Sequence, residues 1–227
     1  MTLDDALAEL RKAADPGRAA QMAAYHKIDR PYLGVANPKT DSLARKWRQS
    51  LDLKARLDLA RLLWETNIFE ARVAAAKLLT QARIKPSDEA AWTLIQSWVP
   101  DFDSWAIADH VCMSGQRRLT ADPSRLDMVE TWITSDRMWT RRAALVITLP
   151  WTKQNHPSAD EERARDRVLG WAETYLDDPE WFIQKAIAWW LRDLSKHDPE
   201  RTRAFLAEHG SRLKPFARKE AARLLPV

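Results

Sequence analysis

The 227-residue sequence predicts an all-α protein: a HEAT-like helical repeat solenoid, in which stacked antiparallel helix pairs form a superhelix with a concave basic face. Three observations predict it. Glycine is scarce, with 5 residues, while Ala, Leu, Arg, Glu and Lys dominate, a composition that favours helices and offers few hairpin turns. No stretch alternates polar and apolar residues as a strand would. Four segments also share one pattern, an aromatic followed three positions later by Arg or Lys, with small residues nearby for close helix contact. They begin at Phe69, Trp139, Phe182 and Phe216, at separations of 70, 43 and 34 residues. The last two separations bracket a helix pair of about 40 residues, and the first roughly fits two such units.

Taken in order, Leu3 to about Ala14 reads as a helix, broken at Asp15-Pro16-Gly17. A second runs from Arg18 to about His26, and a third over Lys39–Gln49 follows the turn Val35-Ala36-Asn37-Pro38. Leu51–Trp64 and Ile68–Gln81 carry apolar residues at helical spacing. Pro86-Ser87-Asp88 opens Glu89–Trp98, which Pro100 ends. The next helix starts near Asp103 or Ser104, either of which can cap its first turn. Ser124–Thr134, Met138–Leu149, Asp160–Leu176, Glu180–Ser195, Pro199–Glu208 and Ser211–Leu225 complete the set. We read residues 1–227 as a single domain.

The charge balance excludes little as a total, being +4, but it is uneven. From residue 201 onward seven Arg and Lys face two Glu, which together with 12 tryptophans makes nucleic acid a reasonable partner. A solvated helix face accounts for the charge alone about as well. The single cysteine, Cys112, rules out an internal disulfide framework and fits a reducing, cytoplasmic setting. The opening Met1-Thr2-Leu3-Asp4-Asp5 is acidic and unlike a signal peptide, and no apolar run is long enough to span a membrane. The chain is expected to be a monomer. The five histidines are dispersed, so no metal site is expected, and no Gly-rich phosphate loop or Gly-x-Ser-x-Gly elbow occurs. His110 and Cys112 point in different directions on a helix, which disfavours a nucleophile pair. Any enzyme here works with carboxylates, aromatics and bases and without a cofactor.

Near the centre lies Asp101-Phe102-Asp103-Ser104-Trp105-Ala106-Ile107-Ala108-Asp109-His110. On a helix Trp105 and Asp109 stand one turn apart on one face. An ionised carboxylate is expensive to bury without a partner. The pair therefore reads either as a surface Asp beside a core Trp, or as a pocket wall suited to a cationic or cation-forming ligand. The remaining tryptophans, Trp47, Trp64, Trp92, Trp98, Trp132, Trp139, Trp151, Trp171 and Trp181, are expected to pack between helices.

The chain resembles the AlkD-type DNA alkylation repair family, HEAT-repeat glycosylases that remove cationic alkylated purines from DNA. The likeness covers nearly the whole length. It runs through Tyr25 and Tyr32-Leu33-Gly34-Val35-x-x-Pro38, then Trp105-x-x-x-Asp109, then Trp139-Thr140-Arg141-Arg142-Ala143-Ala144, and finally Phe182-Ile183-Gln184-Lys185-Ala186-Ile187-Ala188-Trp189-Trp190-Leu191-Arg192. The resemblance implies that Asp109 is the catalytic carboxylate, that Trp105 and Trp189 are the pocket tryptophans, and that Arg142 contacts a phosphate. Trp190 competes with Trp189 for its position. Tyr25 falls where the family flanks the DNA, and Lys185, Arg192 and Lys219 are further DNA-binding candidates. Two departures stand out: Ala106 where the family often has Asp, and Lys39-Thr40 where an Arg is usual after the early proline.

The implied function is excision of N3- or N7-alkylated purines from double-stranded DNA by hydrolysis of the N-glycosidic bond. Such a base already carries positive charge, so it leaves without a general acid. The step then depends on stabilising an oxocarbenium-like sugar, which a carboxylate and the faces of two indoles would do. The resemblance also implies that the lesion need not be flipped into a pocket. The competing class is a non-catalytic HEAT-like scaffold that binds DNA or a protein.

Overall fold

The computed structural model describes residues 1–225 and is all-helical, with thirteen α-helices and no strand among the described residues. Two compact units divide it, Met1–Ala121 and the chain from Asp122 onward. No helix among the described residues is long and apolar enough to cross a membrane.

The first unit holds α1 (Leu3–Lys12), α2 (Pro16–His26), α3 (Asn37–Ser50), α4 (Leu53–Glu65), α5 (Phe69–Leu78), α6 (Glu89–Trp98) and α7 (Trp105–Ala121). Its centre is α5, which packs on α3, α4 and α7. Phe69, Ala71, Val73, Ala74, Ala75, Ala76 and Leu78 are all buried, so this helix is apolar nearly all round, as a central helix must be. Its run of alanines lets three neighbours approach closely.

The second unit holds α8 (Leu126–Glu130), α9 (Met138–Ile147), α10 (Ala159–Thr174), α11 (Trp181–Leu194), α12 (Pro199–His209) and α13 (Pro215–Ala222). Here α11 is central, against α9, α13 and the 3-10 turn Leu149–Thr152. Trp190 of α11 is fully buried, and its indole N–H donates to the Thr148 hydroxyl at 3.2 Å.

Local chemistry explains the helix ends. Thr2 and Asp5 form a capping box on α1, Ser158 and Glu161 another on α10, and Asp15, Asp52 and Asp198 cap α2, α4 and α12. Because Asp15 caps and Pro16 fits the first helical position, α2 begins before Arg18, where the sequence pattern placed it. Two expected helices are shorter. Ser124–Thr134 contracts to α8, since Pro123–Arg125 winds as a 3-10 turn and Thr131, Trp132 and Ile133 close with tight i to i−3 bonds to Met128, Val129 and Glu130. The Thr131 hydroxyl bonds the Met128 carbonyl at 2.7 Å, competing with continued helix. Ser211–Leu225 contracts to α13, because Pro215 starts a helix well and continues one poorly.

The repeat is visible in side-chain bonds. Indole N–H groups reach carboxylates one helix pair away: Trp47 to Glu9 at 2.9 Å, Trp64 to Asp101 at 2.9 Å and Trp171 to Glu130 at 2.8 Å, over 38, 37 and 41 residues. Buried arginines serve the other recurring need, the carbonyls of the loops and turns that connect helices. Arg118 donates to the Gln81 and Ala82 carbonyls and pairs with Asp88 at 3.0 Å. Arg165 donates to the Trp151 carbonyl at 2.7 Å and pairs with Asp198.

Candidate functional site

In the first unit the site is built around the start of α7. Three anchors fix the preceding loop: Asp101 accepts the Trp64 indole N–H at 2.9 Å, Phe102 is buried, and Asp103 pairs with Arg30, whose side chain is almost fully enclosed. Trp64 is itself held, stacked on Trp98 at 4.5 Å with the Arg72 guanidinium 4.5 Å from its ring. The Ser104 carbonyl then accepts the Ala108 N–H at 3.1 Å, which makes Ser104 the residue at which α7 begins. Asp103 serves as the ion-pair partner of Arg30.

Trp105, the first residue of α7, is 36% exposed, and Asp109 one turn on is half-buried, whereas Ala106, Ile107 and Ala108 between them face the core. Tyr25, 69% exposed on the last turn of α2, meets the Trp105 ring edge-to-face at 6.3 Å. His26 lies 5.9 Å from Trp105 and 4.8 Å from Phe69, and Tyr32 stacks behind it at 6.0 Å. The indole thus projects from a rigid aromatic base.

What holds that base is Glu70, 1% exposed on α5. Its carboxylate accepts the backbone N–H groups of Leu33 at 2.9 Å, Gly34 at 2.7 Å and Val35 at 3.2 Å. A buried carboxylate with three amide donors is well compensated. The same segment bonds outward, from the Asp15 N–H to the Leu33 carbonyl at 2.9 Å and from the Phe69 N–H to the Pro31 carbonyl at 3.0 Å. Sequence reading missed both Glu70 and the Arg30–Asp103 pair. Glu70 follows the first aromatic of the repeated pattern, but nothing adjacent marks it as buried; its partners are backbone groups about 36 residues away.

His110, next to Asp109, is pushed down to about 4 by burial, with Lys77 adding and Asp41 opposing. Burial and the Arg30 charge lower His26 as well. Both imidazoles are therefore neutral at pH 7 and add no positive charge beside Asp109. The unfolded chain takes up the His110 proton near the ordinary imidazole value of 6.5, and the native state only near 4. Stability from neutral His110 is thus fully present above pH 6.5 and lost as pH falls toward 4. Because the ring is not wholly shielded from solvent, we expect a loss of about 1–2 kcal/mol. Urea midpoints at pH 7.5 and pH 5 check this; His110→Gln should show a smaller drop, and an equal drop would assign it elsewhere.

In the second unit α11 is positioned by Gln184, fully buried, whose amide donates to the carbonyls of Tyr175 at 3.2 Å and Leu176 at 2.9 Å and accepts the Lys214 N–H at 3.1 Å. One residue on, Lys185 sits 4.7 Å from the Trp181 ring. With Trp189, Arg192, Phe216 and Glu220, these side chains line a cavity of about 400 Å³ between α11 and α13. Trp189 is the tryptophan at that surface and Trp190 the core one. The Trp189 indole N–H donates to Asp193 at 3.2 Å, repeating the Trp105–Asp109 spacing, although Asp193 is also paired with Arg192 and Lys196.

The other sequence-derived candidates divide between the units. Tyr25 joins Trp105 and Asp109 in the first. In the second, Lys185, Trp189 and Arg192 share the cavity, and Lys219 is exposed on α13. Arg192 is engaged by Glu220 and Asp193, so its charge is compensated internally. Arg142 of α9 is 3% exposed, with its guanidinium 5.8 Å from the Trp139 ring. One expectation is refined: Trp181 packs between helices, stacked at 5.5 Å on Phe216 of α13, but it is also 46% exposed because it opens α11 at the cavity edge.

Comparison with known proteins decides the family. The DNA alkylation repair enzyme family matches residues 6–225. The chain belongs to the DNA alkylation repair enzyme family. Its fold is shared with a predicted DNA alkylation repair enzyme from Enterococcus faecalis (22% identity, 93% of this chain and 96% of that one, TM-score 0.78). It is shared also with AlkD2 from Streptococcus mutans (17% identity, both chains fully covered, TM-score 0.69). A third relative in structure is smu.31 from Streptococcus mutans UA159 (19% identity, 83% of this chain and 92% of that one, TM-score 0.63). No curated protein matches by sequence. Within the alkylation repair family pattern, the departure Ala106 is a core residue at 6% exposure, and Thr40 is buried with its hydroxyl on the Ala36 carbonyl, while Lys39 is exposed.

Proposed function

We propose that this member of the family is a DNA glycosylase that releases cationic N3- or N7-alkylated purines from double-stranded DNA. The observation that carries the reading is the pair Trp105 and Asp109, one turn apart and both open to solvent on a helix whose intervening residues are core. A core-facing tryptophan would not be set on the exposed ring of Tyr25, and Asp109 stands one turn along the same helix.

As the C1′–N bond stretches, positive charge passes from the base to the sugar. The Asp109 carboxylate stabilises it and orients the attacking water, so that the hydroxyl adds to C1′, the water's remaining proton passes by way of Asp109 to solvent, and the neutral purine leaves with the bonding electrons. Trp105 presents its π-face to the deoxyribose, where it favours the developing cation over the neutral ground state, and the family resemblance assigns Trp189 the same role. Tyr25 flanks the DNA, and Arg142, Lys185 and Lys219 attract the phosphates, whereas Arg192, paired with Glu220 and Asp193, adds little net charge. His110, the residue after Asp109, is neutral at pH 7 and adds no positive charge there. We propose further that the chain acts as one domain and a monomer, in the cytoplasm.

Measuring purine release from DNA methylated to carry N3-methyladenine and N7-methylguanine tests the reading: free bases should appear with wild type and be absent from a scaffold. The electrostatic footprint makes a second prediction. For about six phosphate contacts, log K against log salt should have a slope of roughly −5. Lys219→Ala, at an exposed position with no packing to lose, should flatten that slope by about one without sequence preference. Fluorescence-anisotropy titrations across salt concentrations check it, and an unchanged slope removes Lys219 from the interface. Arg142→Ala is less clean, because a side chain 3% exposed also contributes packing.

A further inference from the structure

Apart from Trp189, the cavity between α11 and α13 carries aromatic walls, Trp181 and Phe216, that removing an alkylated base does not by itself require. Three of its walls are aromatic, Trp181, Trp189 and Phe216, and about 400 Å³ lies within the range of pockets that enclose small ligands. Its charges are unequal in availability. Arg192 is tied to Glu220 and Asp193, and Glu220 in turn is tied to Arg192 and Arg223, so these groups largely cancel. Lys185 has no carboxylate partner among the described residues and rests instead on the Trp181 ring at 4.7 Å. A cation held on an aromatic face keeps its charge available to an anion, and the α11 backbone anchored by Gln184 fixes its position. The site therefore offers flat apolar surfaces beside one uncompensated positive charge. A ligand matching both is an aromatic ring joined to a phosphate.

Resting on the reading that the protein binds DNA, we propose that the Trp181–Phe216 side of this cavity, away from Trp189, holds one unstacked nucleotide of the DNA, distinct from the lesion, with its base against Trp181 and Phe216 and its phosphate at Lys185. Stacking on aromatics tolerates every base, since each has a π-face, so the site would recognise unpairing and not sequence. It would give the protein a grip on DNA whose stacking is already disturbed.

The test compares two duplexes of one sequence, one fully paired and one carrying a single-nucleotide bulge with 2-aminopurine at the extra position. Wild type should bind the bulged duplex about tenfold more tightly and quench the 2-aminopurine fluorescence as the base stacks. Trp181→Ala is made at an exposed position, and Phe216→Leu keeps a large apolar side chain. In each, the ratio of bulged to paired affinity should fall toward one and the quenching should diminish. Should Trp181→Ala fail to fold, Phe216→Leu and the wild-type quenching decide the matter. Equal affinity of wild type for both duplexes, or a preference that survives both substitutions, overturns the nucleotide site and leaves the DNA-binding reading standing. Binding of neither duplex overturns the DNA-binding reading, and the nucleotide site with it.

Discussion

Asp109→Asn should slow single-turnover release of a cationic purine by on the order of a hundredfold or more, which is the scale of losing one preorganised stabilising group. The substitution keeps the shape of the side chain and removes only the negative charge on which the oxocarbenium-like sugar depends. DNA affinity should hold or rise slightly, since an anion near the phosphate backbone is gone. Stability should change little, because Asp109 is half-exposed at a position flanked by core residues that remain. A non-catalytic scaffold forecasts the opposite, with no release by either protein and an effect confined to binding or folding. Release that survives the substitution undiminished would keep the enzyme and dismiss its assigned carboxylate.

Gly34→Ala should be the most destabilising single methyl group in the first unit. Gly34 has a φ of +76°, and a Cβ built there would lie 2.0 Å from the Asp15 carbonyl oxygen and 2.6 Å from the Ala19 nitrogen. Both are backbone atoms of α2 or its cap, so no side chain can swing aside. The left-handed conformation costs an alanine about 1–2 kcal/mol and the overpacking about 1–3 kcal/mol. Together, at about 2–4 °C per kcal/mol for a chain of this size, they should lower Tm by roughly 4–20 °C. Since the displaced helix carries Tyr25 and His26, base release should fall even below the melting range. Gly170→Ala is the control: its Cβ meets nothing within 4 Å on exposed α10, so it should stabilise by about 0.5–1 kcal/mol. Thermal melts of the two variants beside wild type check both signs. A neutral Gly34→Ala would mean that the Leu33–Val35 segment is free to move.

Most of the fold was legible because helix signals are local. The α6 boundaries, Glu89–Trp98, coincide with the sequence reading, since Asp88 precedes the helix and Pro100 follows it. The errors at α8 and α13 came from prolines whose local effect outweighed a continuing apolar pattern. Trp105 and Asp109 were legible as a pair because both stand on one helix four residues apart. Trp189 could be separated from Trp190 only in the folded unit, where Thr148 claims one indole and Asp193 the other. Glu70 and Arg30 were illegible for a related reason. Their partners lie 37 and 73 residues away, one on backbone amides and one on an aspartate that reads as a helix cap. Side chains that orient a site across the fold leave no spacing to read.

The account's central claim is that Asp109 acts on charge the lesion already carries. Single-turnover release from two matched duplexes, one containing N7-methylguanine and the other the neutral lesion hypoxanthine, tests it most directly. The account predicts ready release of the cationic base by wild type and release of hypoxanthine no faster than without protein. Comparable rates for both, or faster release of the neutral base, would contradict it.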